Sequence, residues 1–354
     1  MDSGKSDCTE TRALIGADTS QKIKLLSLVL SFAVILIHVT NLLVYGITSG
    51  PLYWIETAIQ YASDYAVPVF FGISGYLFFR NCSPVTLYPK MRRRVRTLLV
   101  PYIIWGLFYT MVVAGMRYVP VIGRYINSDS DFVGAMLDIM VFGRHTHLWY
   151  IRNLMVYVAL SPVVYAMLRR KGICLAYVAV VLAALGFGGL AGGLANVAQY
   201  SLYYLLGGWM ATYHCAAAEM PYGAGHVRVC AGLLLLSVPL SLYAGLNGWT
   251  GVRAFMMLCA VPLIWVAADG LRRADIASKT VKLLSSSTFF IYVCHVFVLE
   301  CVEKVIFMLL PHGELGAAVD YLIAPVVSMA VLVVVIRVLR RFPRLWSVIN
   351  GGRG

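Results

Sequence analysis

Two histidines stand where a histidine is costly to keep. His38 nearly closes the apolar stretch "KLLSLVLSFAVILIHVTN" (24–41), and His295 sits inside "STFFIYVCHVFVLECVEK" (287–304). A neutral imidazole can take a proton from a hydroxyl, or carry a transferred group on its nitrogen. Counted from Lys24, His38 lies ~21 Å along a helix rising 1.5 Å per residue. That is past the midplane of a hydrocarbon core about 30 Å thick. His295 lies ~16 Å from Leu284 by the same measure, a comparable depth. An ionisable residue at such depth faces a cavity or a polar partner and is a functional candidate by default. The competing reading is a neutral histidine bonded to a neighbouring helix. Glu300, Glu303 and Lys304 follow His295. Glu300 and Lys304 are spaced to neutralise each other, and a carboxylate-rich stretch also suits a proton pathway.

Cations gather elsewhere. In "KMRRRVRTLLVPY" (90–102), Lys90, Arg92, Arg93, Arg94 and Arg96 fall within seven residues. Arginine binds phosphate bidentately, so Arg92, Arg93 and Arg96 are candidates for a phosphate clamp. A topology signal with anionic-lipid binding explains the same charges. In "DYAVPVFFGISGYLFF" (64–79), Gly72 and Gly75 permit close approach of a helix or a ligand, with Ser74 beside them. In "HTHLWYIRN" (145–153), Trp149 and Tyr150 suit an interfacial aromatic belt. With His145, His147 and Arg152 they also suit a sugar or an anion. No third ligand accompanies these histidines, and the cysteine spacing is not that of a zinc site, so no metal is expected.

The elements that must position these residues are membrane spans. Apolar residues make up 60% of the chain and charged residues 13%, against roughly 45–50% and about 25% in soluble domains. The pattern predicts an all-α polytopic membrane protein of about ten transmembrane helices. They run roughly over 25–48, 56–79, 98–116, 148–168, 173–193, 196–213, 228–246, 253–269, 284–310 and 319–339. With both termini inside, 23 of the 29 lysines and arginines fall on the inner side, which favours N-in, C-in. The formal charge of +13 is mostly this signal, so nucleic-acid binding is not needed to explain it. No cleavable signal peptide is evident. The expected organisation is a cytoplasmic tail over 1–22, one transmembrane domain over 23–341 and a second tail over 342–354. The outer segment 117–147 carries a stretch suited to the interface, "DFVGAMLDIMVFG". The eight cysteines form no disulfide framework. The glycines of "GFGGLAGG" (186–193) are spaced for helix packing, although the stretch also reads as a short turn.

Taken in order, "VILIHVTN", "VPVFFGISGYLFF", "RRRVRTLLVPYIIW" with "HLWYIRNLMVY", and "FIYVCHVFVL" resemble the acyltransferase-3 family of integral membrane acyltransferases. The resemblance covers residues 25–340. It implies transfer of an acyl group, most often acetyl, from cytoplasmic acyl-CoA. The acceptor would be a hydroxyl or amino group of a cell-envelope glycan or its lipid-linked precursor, and the protein would be multi-pass in the inner (plasma) membrane. It implies His38 as base or acyl carrier, and His295 as orienting that ring or lining the tunnel. Acetyl-CoA, or another acyl-CoA, is the implied co-substrate, held by Arg92, Arg93 and Arg96 with Ser74 and Gly75. His147, Trp149, Tyr150 and Arg152 fall on the acceptor side. Family members commonly carry an arginine eleven residues before the first-span histidine; here that position is Ser27, with Lys24 nearby. The competing class is a transporter or flippase of a lipid-linked saccharide, using the same polar residues as a pathway. Against it, no inverted hydropathy repeat is evident.

Overall fold

The computed structural model describes residues 16–116, 133–134, 136–137, 147–272 and 278–352. The expected tail up to residue 15, His145 and most of the outer segment 117–147 lie outside the described residues. Among the described residues all regular structure is helical. In chain order the helices are α1 Ala17–Ile37, α2 Asn41–Val44, α3 Pro51–Ser63, α4 Ala66–Phe79, α5 Pro84–Met116 and α6 Trp149–Ala159. Then come α7 Ser161–Leu168, α8 Lys171–Gly186, α9 Gly192–Tyr213, α10 Cys215–Glu219, α11 Ala224–Leu246 and α12 Thr250–Ala267. The last are α13 Asp269–Arg272, α14 Lys279–Ser285, α15 Thr288–Leu309, α16 Glu314–Leu339 and α17 Pro343–Ile349.

Among the described residues, length and apolarity single out five helices able to cross a membrane: Ala17–Val44, Pro84–Val112, Ala224–Leu246, Thr250–Leu271 and Glu314–Leu339. Trp149–Ala159 with Ser161–Leu168 makes a sixth if the pair is one span. Other expected spans are shorter, such as α4 with 14 residues, or carry charge, as α15 does with Glu300, Glu303 and Lys304. The chain is an all-α, multi-pass membrane protein.

Several expected spans are broken, for local reasons. The stretch 56–79 divides at Asp64 and Tyr65 into α3 and α4. Pro68 cannot donate to the Asp64 carbonyl and its ring crowds that oxygen, so the proline is tolerated only in the first turn of a new helix. Pro162 does the same between α6 and α7. The expected loop 80–96 is helical from Pro84, so the arginine run lies on α5. α1 also begins earlier than expected, inside the predicted tail. There Lys22 is fully buried, 2.9 Å from Asp269 and over the ring of Trp265.

The described chain divides into two compact units. One comprises Met1–Ser83 with Val163–Ile336, the other Pro84–Pro162 with Arg337–Gly354. In the first, α1 packs on α3, α4, α13, α14 and α15, and α4 lies against α9. The α4–α9 crossing is a backbone contact. A Cβ at Gly75 would fall 2.0 Å from the Tyr204 carbonyl oxygen, and one at Gly207 would fall 1.9 Å from that of Gly72. Of the "GFGGLAGG" glycines, Gly186 shares this role, since a Cβ at Gly251 would fall 2.8 Å from its backbone, whereas Gly188 and Gly192 do not. Gly188 and Gly192 have φ of +70° and +56° in the turn between α8 and α9, with nothing within 4 Å of an added Cβ. The turn reading holds there and the packing reading does not. At one end of this unit Arg80 donates to Glu219 at 2.5 Å and Tyr76 donates at 2.7 Å. Burial alone would raise the Glu219 carboxyl, but these hydrogen bonds outweigh it and hold the group below its usual range.

In the second unit α5 packs on α6 and α17. Its core holds Leu98, Tyr102, Trp105, Tyr109, Ile151, Leu154 and Tyr157, and the Trp105 indole donates to the Ile349 carbonyl at 3.1 Å.

Candidate active site

The first span unwinds at the candidate histidine. α1 ends at Ile37, His38 is its C-cap, and α2 begins at Asn41. Backbone groups freed at membrane depth must find partners inside the protein. Here a carboxylate from α15 supplies one: Thr40 N–H donates to Glu303 Oε1 at 2.9 Å, and Thr40 Oγ1 to Glu303 Oε2 at 3.1 Å. Both Glu303 oxygens are therefore engaged with the residue two beyond His38. Glu303 belongs to the carboxylate-rich stretch that also suits a proton pathway; in the structure it clips the unwound segment.

The same helix, α15, brings His295 to His38. The ring centroids are 5.1 Å apart with the planes inclined at 57°. His295 is buried, and its Nδ1 lies 2.6 Å from the Tyr292 carbonyl. A carbonyl only accepts, so Nδ1 carries the hydrogen, and in the neutral ring Nε2 carries the lone pair. Two residues 257 positions apart in sequence thus form one imidazole pair.

Beside the pair lies a polar cluster that the sequence reading missed. Asn41 Nδ2 donates to Glu56 Oε1 at 3.0 Å and to the Ala317 carbonyl at 2.9 Å. Asp320 follows one turn later on α16, with Tyr321 next to it, and the Tyr45 ring lies against Gly316. Asp320 is within electrostatic reach of Tyr45, Glu56 and Glu303. Glu56 and Asp320 stand at the ends of expected spans, where a charged residue reads as a boundary marker. Asn41 closes the apolar stretch that carries His38.

The arginines of the predicted clamp form a separate arrangement, in the second unit. Tyr88, Pro89, Arg92, Arg93, Arg96 and Thr97 line an open cleft of about 630 Å³. Arg92, Arg93 and Arg96 are exposed, and among the described residues no carboxylate pairs with them. Helical spacing puts Arg92 and Arg93 one turn before Arg96. Such a cleft suits the phosphates of a nucleotide-bearing substrate.

The remaining predicted residues are dispersed. Gly75 is spent on the α4–α9 crossing, while Ser74 beside it is half-buried. His147 is buried in the second unit and meets the Tyr109 ring edge-on at 5.3 Å. Arg152 donates to Asn153 Oδ1 at 3.3 Å, and Trp149 and Tyr150 are half-buried. At the position where the family usually has arginine, Ser27 is buried, and the nearby Lys24 is exposed.

Helical spans, an unwound segment at a histidine and a second histidine held against it define a multi-pass membrane protein with an imidazole pair at a broken first span. A family model described as an acyltransferase domain matches residues 22–339, and the chain belongs to that family, acyltransferase-3. It is a membrane acyltransferase, as the resemblance implied. No curated protein and no solved structure matches the chain.

Proposed function

We propose that this acyltransferase moves an acyl group, acetyl in the first instance, from acyl-CoA to a hydroxyl or amino group of an extracytoplasmic or membrane-bound acceptor. The reading takes the acceptor to be a cell-envelope glycan and the membrane to be the inner (plasma) membrane. The observation that carries it is the His38–His295 pair at the unwound first span. In the direct route His38 takes the proton of the acceptor hydroxyl, whose oxygen attacks the thioester carbonyl. The C–O bond forms, the C–S bond breaks, and the imidazolium returns its proton to the thiolate. In the two-step route the His38 nitrogen carries the acyl group before the acceptor takes it. His295, with Nδ1 fixed by Tyr292, orients the His38 ring.

The arginine cleft is assigned to the CoA phosphates. Each charge-assisted contact contributes about 1.5–3 kcal/mol, so Arg93→Ala/Arg96→Ala is expected to weaken CoA binding by about 100-fold or more. Isothermal titration with CoA on folded protein checks this, and unchanged affinity would remove the clamp.

Glu303 is assigned as a positioning residue through Thr40. Glu303→Gln keeps one acceptor and loses the other. The expected effect is a fall of about 10–100-fold in kcat, equivalent to ~1.4–2.7 kcal/mol, with KM for acyl-CoA little changed. Steady-state kinetics separate the two parameters, and Glu303→Asp is expected to recover only part of the loss. A KM effect without a kcat effect would place Glu303 in donor binding instead.

A further inference from the structure

The polar cluster beside His38 contains more hydrogen-bond acceptors than the described residues satisfy. Asn41 and Asp320 are each 1% exposed and Tyr321 is 8% exposed. Among the described residues, Asn41 Oδ1, both oxygens of Asp320, and the hydroxyls of Tyr45 and Tyr321 have no hydrogen-bond partner. The Asn41 amide cannot be turned to relieve this. Its Nδ2 already donates to two acceptors, Glu56 and the Ala317 carbonyl, and a reversed amide would set oxygen against oxygen. Buried polar groups left in this way cost about 1–3 kcal/mol each, and carboxylates more.

Charge is also unbalanced. Glu56, Glu303 and Asp320 make no ion pair with a lysine or arginine among the described residues. The nearby cation, Lys304, is exposed and acts on Glu300. The surrounding elements α2, α3, α15 and α16 therefore present carboxylates, an amide oxygen and two phenols. Among the described residues no group of three or more His, Cys, Asp or Glu could hold a metal ion. A hydroxyl supplies one hydrogen and no charge. A primary ammonium supplies three hydrogens and a positive charge in one small group.

We propose that the Asn41–Glu56–Asp320–Tyr321 cluster binds a primary ammonium group of the acyl acceptor. This rests on the acyltransferase reading only for the word acceptor; the ammonium site stands on the cluster itself. The bound ammonium is a handle and not the nucleophile, because a protonated amine has no lone pair to attack with. The acylated group is then a hydroxyl of the same molecule, presented to His38 three residues before Asn41. The acceptor is accordingly a cationic amino alcohol, in the broad sense that includes amino sugars and amine-bearing lipid headgroups.

The test uses full-length protein in lipid nanodiscs, with ionic strength held by choline chloride, which has no N–H. Binding of ethanolamine is compared with that of ethylene glycol, which replaces the ammonium by a hydroxyl. Ethanolamine is expected to bind at least tenfold more tightly and to raise the melting temperature. Asp320→Asn and the milder Tyr321→Phe are each expected to reduce that preference at least tenfold, while His38→Ala retains it. Equal binding of the two probes would overturn the proposal. So would retention of the full preference in a folded Tyr321→Phe and Asp320→Asn pair, or the same stabilisation by sodium or magnesium ions, which would indicate an inorganic cation site. CoA binding, measured in the same samples, reports separately on the acyltransferase reading: losing it leaves the ammonium preference intact, and the reverse also holds.

Discussion

Purified His38→Ala protein is expected to transfer no measurable acyl group while remaining folded. His38 is half-buried at the end of α1, where its ring meets that of His295, and it is not among the fully buried side chains such as Ile35, Phe71 and Phe290. Removing the ring should therefore cost little stability. A lost general base lowers a rate by about 10²–10⁴, whereas a lost nucleophile removes the covalent route entirely. Intact-protein mass spectrometry distinguishes the two. Wild type mixed with acyl-CoA and no acceptor gains one acyl mass in the two-step route and none in the direct route. The His295→Ala variant should keep that mass gain but form it more slowly, because the second ring orients the first. Full turnover by the His38 variant would end its catalytic assignment.

Gly75→Ala is expected to cost the fold itself. Its methyl would sit 2.0 Å from the Tyr204 carbonyl oxygen, far inside contact distance. The obstacle is backbone, so no rotamer change relieves it, and α4 and α9 must separate along their crossing. Overpacking typically costs about 1–3 kcal/mol where side chains can adjust, and this site should exceed the upper figure. Fluorescence-detected size exclusion should show aggregated or greatly reduced Gly75→Ala protein. Ser74→Ala, one residue away and half-buried, should behave like wild type in the same assay. A well-folded Gly75→Ala protein that had lost only donor binding would return Gly75 to a ligand-contacting role.

What could be read from the chain depended on whether the signal was local. Helical class and membrane residence are local: long apolar runs and cation asymmetry carry them. His38 and His295 stand out because each interrupts an apolar run at a comparable depth, but their meeting depends on how α1 and α15 pack. Glu56 and Asp320 did not stand out, since a carboxylate at the edge of a span looks like an ordinary boundary. Their importance comes from Asn41, which bridges helices 276 positions apart in sequence. Gly75 shows the same limit. Its spacing allowed either a ligand or a helix, and only the position of Tyr204 decides between them. The breaks at Asp64 and Leu160 were more accessible, because Pro68 and Pro162 announce new first turns.

The buried Lys22–Asp269 pair and the Glu303–Thr40 clip lie at opposite ends of the first span. Together they set its rotational phase. With 3.6 residues per turn, a slip of one residue would swing every side chain by about 100°. His38 would then point away from His295, and the imidazole pair would be lost with every helix still formed. One fastening leaves such a helix free to twist; two, eighteen residues apart, do not. The span thus behaves as a keyed shaft, and damage at Lys22, far along the helix from the chemistry, should appear first as a misaimed histidine.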